Sequence, residues 1–295
     1  MSRPIPGDVQ RAAHVLAICD ASPAALNAAW RAALVARDLR VPLHVVHATA
    51  DNRSTAPLPR VAAFLHEAAE RCAVRVEPIP AQADPVEQCV PLACGGLVVL
   101  PTTHGNPLAE WLMGGPAERL IRLVRAPVLV VKQQARVGYR RVLVAVDLQQ
   151  SSEHLVTQAS VLARGPLSSF HALAPGEEIA LRELDAPPAV LRAHRRTVAA
   201  RAYQKMKQLL PGAPVTPIVT FGGAADSILA GETAQQSELV VIGKRRRGLL
   251  ADFLLGSVTR QVLARSEADV LVLPLPPAAG SAVVGAATRG PSLQG

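Results

Sequence analysis

The sequence predicts an α/β protein made of two tandem units, each a five-stranded parallel sheet flanked by helices. Three observations predict it. Short apolar runs rich in Val, Leu and Ile alternate with Ala-rich stretches at helical spacing, as strands covered on both faces require. The same succession of elements is written twice along 295 residues, a length suited to two ordinary domains. Apolar residues make up 49% of the chain and aromatics only 3%, so Ala, Val and Leu must build the two cores.

Each copy opens on an apolar strand ending in aspartate, residues 14–20 with Asp20 and residues 141–147 with Asp147. A polar cap and an Ala-rich helix follow in both. The second strand is clear at 43–47, and its counterpart at 170–173 is less apolar. A variable connection then holds a helix, at 61–72 in the first copy and 190–210 in the second, the latter stopped by Pro211-Gly212. Strand three is expected at 74–79 and 215–220, strand four at 97–100 and 239–242, and strand five at 126–131 and 268–273. The aspartates lie 127 residues apart and the closing glycines, Gly114 and Gly256, lie 142 apart. The second copy therefore carries extra residues, expected at 176–188, a stretch rich in acids and proline.

Strand–helix alternation implies right-handed crossovers. Domain one is expected over 10–133, a linker over 133–139 and domain two over 139–274, with 275–295, rich in Pro, Ala and Gly, as a disordered tail. The closing strands, 128–131 and 270–273, should be edges that need cover.

The formal net charge is +8. Two clusters stand out: Arg192, Arg195, Arg196, Arg201, Lys205 and Lys207 with no acid among them, and 244–247. The first reads as the solvated face of a helix, or else as a surface for an acidic partner. Tyr203 is the single Phe, Trp or Tyr within either cluster, too little aromatic interleaving to make nucleic acid an expected partner. Cys19, Cys72, Cys89 and Cys94 have no C-x-x-C spacing and read as reduced, buried thiols. His44 and His47 stand three apart in a strand and face opposite sides, so no metal site is expected there. No apolar run approaches the ~20 residues that span a bilayer. The apolar stretch 12–19 meets Asp20 without a cleavage context, so a cytoplasmic protein without signal peptide or membrane contact is expected.

The strand at 239–243 ends in glycine and leads into Lys244, Arg245, Arg246 and Arg247; Gly256 and Ser257 follow just ahead of a helical pattern. Backbone N–H groups at such a strand–loop–helix junction can cradle phosphate. Ligands of doubly wound sheets bind beyond the carboxyl ends of the strands, so Asp20 or Asp147 and the glycine loop would flank one crevice. A carboxylate there can accept hydrogen bonds from a ribose, which makes mononucleotide binding coherent without specifying it. No G-x-S-x-G elbow, H-E-x-x-H helix or complete P-loop is present. The protein is not expected to be an enzyme, although slow ATP hydrolysis would need no dedicated motif.

The segment 243–257 resembles the carboxyl-terminal signature of the universal stress protein (UspA-like) family: glycine, two residues, glycine, nine residues, glycine, then serine or threonine. Gly243, Gly256 and Ser257 match it, and Arg246 stands in place of the middle glycine. The resemblance covers about 260 residues as two tandem copies. It implies Rossmann-like domains of the adenine nucleotide alpha hydrolase-like kind, with ATP or AMP as the ligand of domain two. Ala145, Val146 and Asp147 resemble the family's adenine-contacting strand, and Gly243, Gly256, Ser257 and Val258 match positions that hold phosphate and ribose. Arg246 lacks the backbone freedom of glycine. It either fills the phosphate pocket or, with Lys244, pairs with phosphate.

The first copy departs further. Gly105 and Gly114 preserve part of the glycine pattern, and Asp20 with Ser22 resembles the aspartate and hydroxyl. The resemblance also implies a role in stress response through an unidentified protein partner, gated by an adenine nucleotide. The alternative is an interaction module that binds no nucleotide and whose basic surface binds an acidic partner or nucleic acid. In the family the closing strands pair across a dimer. Here the two halves can pair with each other as a pseudo-dimer, and further homodimerisation stays open.

Overall fold

The computed structural model describes residues 8–47, 55–82, 85–102, 116–136, 138–149, 151–244 and 255–275. The first half runs β1 (Val15–Cys19), α1 (Pro23–Leu39), β2 (Leu43–His47), α2 (Pro59–Cys72), β3 (Val76–Pro80), α3 (Pro85–Leu92), β4 (Leu97–Pro101), α4 (Pro116–Leu123) and β5 (Val128–Val131). The second runs β6 (Val142–Ala145), α5 (Ser151–Leu162), β7 (Leu167–Leu173), α6 (Gly176–Glu183), α7 (Pro188–Leu209), β8 (Val215–Phe221), α8 (Ala224–Gln235), β9 (Leu239–Lys244), α9 (Ser257–Arg265) and β10 (Asp269–Pro274).

Among the described residues ten strands lie in one sheet, ordered β3-β2-β1-β4-β5-β10-β9-β6-β7-β8. Pairing within each half is parallel, while β5 and β10 meet antiparallel with Val130 opposite Val270 and Leu129 opposite Leu271. Each half thus closes the open edge of the other, which removes two apolar edges at once. The expected pairing of the closing strands is what the sheet shows.

The closing strands also show how the core is divided. Leu129 and Val131 belong to a cluster packed under α1, α2, α5 and α7, whereas Val128 and Val130 face a second cluster under α3, α4, α8 and α9. This period of two, with both faces apolar, is the reason these strands read as continuous hydrophobic runs. On α1 the buried residues include Ala25, Ala28, Ala29, Ala32, Ala33 and Ala36. Their small side chains let the helix lie close on the sheet, and each strand Val or Leu beneath contributes roughly 1.5–3 kcal/mol on burial.

Several boundaries differ from the sequence reading. The weak strand at 170–173 begins three residues earlier, at Leu167, because its pairing with both β6 and β8 compensates for Ser168 and Ser169. The stretch expected to hold the extra residues of the second copy contains a helix, α6, and α7 is also longer than its counterpart α2 (22 residues against 14). Cys94 is exposed, in the turn after α3, so only Cys19, Cys72 and Cys89 fit the expectation of buried thiols. Burial pushes the Cys89 thiol up to about 11. Among the described residues no helix is long and apolar enough to cross a membrane. The proposed tail, 275–295, lies outside the described residues beyond Leu275.

Candidate functional site

The two strand-end aspartates sit in matching turns. Asp20 Oδ1 accepts from the Ser22 N–H at 2.9 Å, and Asp147 Oδ1 accepts from the Gln149 N–H at 3.1 Å. The residue between is left-handed in each, Ala21 at φ 67° and Leu148 at φ 57°. A short carboxylate that bonds the backbone two residues on stabilises this bend. Ser22 Oγ then accepts from the Ala25 N–H at 3.2 Å and caps α1. Both aspartates are exposed at the carboxyl end of a strand whose neighbour is the fourth of its half: β1 beside β4, and β6 beside β9. That boundary is the switch point where doubly wound sheets open a crevice.

In the second half Ala145 is half-buried and Val146 is buried. The Val146 N–H donates to the Phe170 carbonyl at 2.9 Å, and the Val146 carbonyl accepts from His171 Nδ1 at 2.8 Å. His171 therefore covers the backbone oxygen of the strand that the resemblance assigns to adenine. Sequence reasoning did not single it out. Its only signal was a histidine on the strand beside Asp147.

The glycines of the loop have different reasons to be there. At Gly243 an added Cβ would lie 2.6 Å from Leu275 Cδ1. The missing side chain thus makes room for Leu275, whose N–H donates to the Lys244 carbonyl at 2.9 Å. Among the described residues no atom lies within 4 Å of where a Gly256 Cβ would sit, and Gly256 caps α9 without a side-chain hydrogen bond. Gly256 and Ser257 are exposed and Val258 is half-buried, and the first amides of α9, which have no acceptor within the helix, lie at the positive end of its dipole. Arg246, Gly105 and Gly114 lie outside the described residues.

Lys244 is not placed as a phosphate ligand. Its side chain is 1% exposed, and its ammonium donates to the carbonyls of Ile121 at 2.6 Å and Val124 at 2.7 Å. Those carbonyls end α4, in the opposite half, where a cation is favoured by the helix dipole. Burial lowers its pKa to about 7. The sequence reading went wrong because proximity along the chain to a phosphate-binding loop says nothing about which side of the sheet a strand residue faces.

A second lysine makes the reciprocal contact. Lys132, just past β5, donates from Nζ to the carbonyls of Leu263 and Ser266, each at 2.6 Å, at the end of α9. Burial lowers its pKa to about 8, against the opposing pull of Glu232 and Asp269. Beside it, Asp269 is fully buried and accepts from the N–H groups of Lys132 at 2.7 Å and Gln133 at 2.8 Å. It also accepts from the Tyr139 hydroxyl at 2.6 Å and lies 3.3 Å from Arg31 Nε. Burial raises the Asp269 pKa, and Arg31 and these donors oppose that rise. Arg31 stacks on the Tyr139 ring with 4.5 Å to the centroid. The linker is thereby fixed between α1 and β10.

The basic helix α7 is mostly exposed, with only Ala202 and Met206 fully buried. Its run without acids acquires one from α6. Glu178 accepts from Arg195 Nε and Nη2 and from Arg182 Nη2, all at 2.7 Å, and Arg195 holds its carboxyl below the usual range. Arg192, Arg196, Arg201, Lys205 and Lys207 remain on the exposed surface.

The fold defines the class: a doubly wound α/β protein of two fused halves, each with an aspartate at the carboxyl end of its first strand. Comparison with known proteins is consistent with that class. Residues 138–274 match the profile of the universal stress protein family. The chain is 30% identical over 183 residues to Universal stress protein Rv2005c of Mycobacterium tuberculosis, covering 60% of this chain and 61% of that protein. It is 28% identical over 191 residues to Universal stress protein Rv1996 of the same species, covering 61% and 59%. The matched region thus spans about three-fifths of these relatives' length. Among solved structures, a putative universal stress protein from Pseudomonas aeruginosa superposes with TM-score 0.63 at 22% identity, covering 90% of this chain and 95% of that one. One from Archaeoglobus fulgidus gives 0.58 at 19%, covering 89% and 98%. These structures share the fold. The likeness to the universal stress protein family is thus carried by the second half of the chain, residues 138–274, where the profile match falls.

Proposed function

We propose that this chain is a tandem stress-response protein whose second half, residues 139–274, is an adenine-nucleotide site, and whose first half, residues 10–133, supports it as a pseudo-dimer partner. One observation carries the reading. Asp147 and the Gly256–Ser257 helix start are both exposed at the carboxyl end of the adjacent strands β6 and β9, with no atom of the described residues within 4 Å of a Cβ added at Gly256. A carboxylate for the ribose hydroxyls and helix-start amides for the phosphates are the chemistry a mononucleotide requires.

Arg246 then bears on affinity as a phosphate partner or as a plug, and Lys244 does not contribute. The protein acts by binding rather than by catalysis, with the nucleotide state read by a protein partner in the cytoplasm. The exposed cations of α7, beside the exposed Ile179, Leu184 and Val190, favour that helix as the surface an acidic partner meets. The test is the ultraviolet spectrum and released small molecules of the purified protein. Bound ATP or AMP, absent from a Gly256→Arg variant, is the expected result. Nucleotide-free protein that also fails to take up added ATP would leave the interaction module as the function.

A further inference from the structure

A cavity of about 790 Å3 lies away from that crevice, at the junction of the two halves. Its walls include Arg31, Arg136, Arg140, Arg141, Tyr139 and Glu238. It sits on the amino-terminal side of β6, because Tyr139, Arg140 and Arg141 precede that strand. Asp147 follows at the other end. The size is ordinary for a small-molecule site.

The arginines are not equally available. Arg31 is committed: Nη1 donates to the Arg136 carbonyl, Nη2 donates to the Gln134 carbonyl at 3.3 Å, and Nε lies 3.3 Å from Asp269. Arg141 donates from Nε to the Gln236 carbonyl at 2.6 Å and pairs with Glu238 at 3.4 Å. Among the described residues Arg136 and Arg140 have exposed guanidinium groups without a partner. Their backbones are nonetheless held. Arg31 clamps the carbonyl of Arg136, and Glu238 Oε2 accepts from the Arg140 N–H at 2.6 Å. Two unpaired forks on fixed backbone, in a concave site with a single carboxylate in its wall, make a preorganised field for an anion.

We infer that this junction cavity binds a diphosphate group, held by Arg136 and Arg140. Guanidinium groups bind phosphate oxygens bidentately, and two of them match two adjacent phosphoryl groups better than one isolated charge. The cavity has room for an organic group attached to the diphosphate.

The experiment is calorimetric titration of the full chain with inorganic pyrophosphate and, separately, with ADP. It uses the wild type, Gly256→Arg and the double variant Arg136→Ala/Arg140→Ala. Pyrophosphate should bind wild type and Gly256→Arg alike, and its affinity should fall at least about tenfold in the double variant. ADP binding more tightly than pyrophosphate to Gly256→Arg would identify a nucleoside diphosphate, and equal affinity would identify the diphosphate alone. Both support the site. Absence of pyrophosphate binding to the wild type, unchanged affinity in the double variant, or binding lost only in Gly256→Arg would overturn it. The two truncated side chains are exposed, so an unchanged unfolding midpoint should accompany the loss. Arg136→Lys/Arg140→Lys, which keeps the charge and removes the forks, should bind more weakly than wild type.

Discussion

Lys244 donates its ammonium to the carbonyl of Val124 at 2.7 Å, across 120 residues of sequence and from one half of the molecule to the other. Lys132 does the reverse, donating to Ser266 at 2.6 Å. The acceptors are equivalent in the two halves, since Val124 and Ser266 each follow the helix before the closing strand. The donors are not equivalent: one ends β9 and the other follows β5. Each half therefore caps a helix of its partner half with a buried cation, and the antiparallel β5–β10 seam lies between.

Reversing the charge at Lys244 should damage the fold severely. Lys244→Glu would place a carboxylate against carbonyl oxygens at a buried helix end, at a cost of about 3 kcal/mol or more. Lys244→Met removes an expensive buried charge but strands two carbonyls, so its loss should be smaller, about 1–3 kcal/mol. Urea unfolding measures both. Neither outcome depends on nucleotide, and Lys244→Met should leave ATP affinity unchanged.

Stability should rise with pH above neutrality. Lys244 and Lys132 are lowered from 10.5 to about 7 and about 8 in the folded chain. Between those values and 10.5 the unfolded chain binds more protons than the folded one, so alkali favours folding. The rise is at most about 1.4 kcal/mol per pH unit for each lysine. Below pH 7 both burial penalties are fully present. Burial and Asp269 raise the Tyr139 pKa well above 10, so the trend should reverse in strong alkali, where the unfolded tyrosine ionises first. Urea midpoints at pH 7 and 9.5 should show the increase, and Lys244→Met should diminish it.

Asp269→Asn should cost about 3–5 kcal/mol, because it leaves the Arg31 guanidinium buried without its counter-charge. The double variant Arg31→Met/Asp269→Asn should lose less than the two single losses added together, as a shared network requires. Additive losses in urea unfolding would mean that the two side chains do not act as a pair.

Gly243 and Gly256, the two glycines that match the motif, should separate by experiment. Gly243→Ala meets Leu275 and should destabilise the protein by about 1–3 kcal/mol, with partial rescue by Leu275→Ala. Gly256→Ala meets no atom of the described residues within 4 Å and should change stability by no more than about 0.5 kcal/mol, whatever it does to ligand binding. Thermal unfolding of the two variants, with and without ATP, distinguishes the roles.

The fold was legible because parallel strands buried on both faces leave long Val and Leu runs, and because two copies corroborate one another. The Val128–Val131 and Val270–Leu273 runs even disclosed their pairing, since an apolar closing strand needs cover. Lys244 was misread because its direction depends on a contact from the other half. Arg31 and Asp269 were missed although each left a trace. Arg31 interrupts an Ala-rich helix face, and Asp269 opens an otherwise apolar strand. Partners 130 residues or more from Asp269, such as Tyr139, follow only from the seam between the halves. Gly243 matched the motif and still owes its lack of a side chain to Leu275, which no local pattern reveals.

Calorimetric titration with ATP is the most direct measurement of whether the second-half crevice is a nucleotide site. One ATP should bind per chain, with binding abolished by Gly256→Arg, sharply weakened by Asp147→Ala and unaffected by Asp20→Ala. Absence of binding, or a site that survives Gly256→Arg and disappears with Asp20→Ala, would contradict the assignment of the nucleotide to the second half.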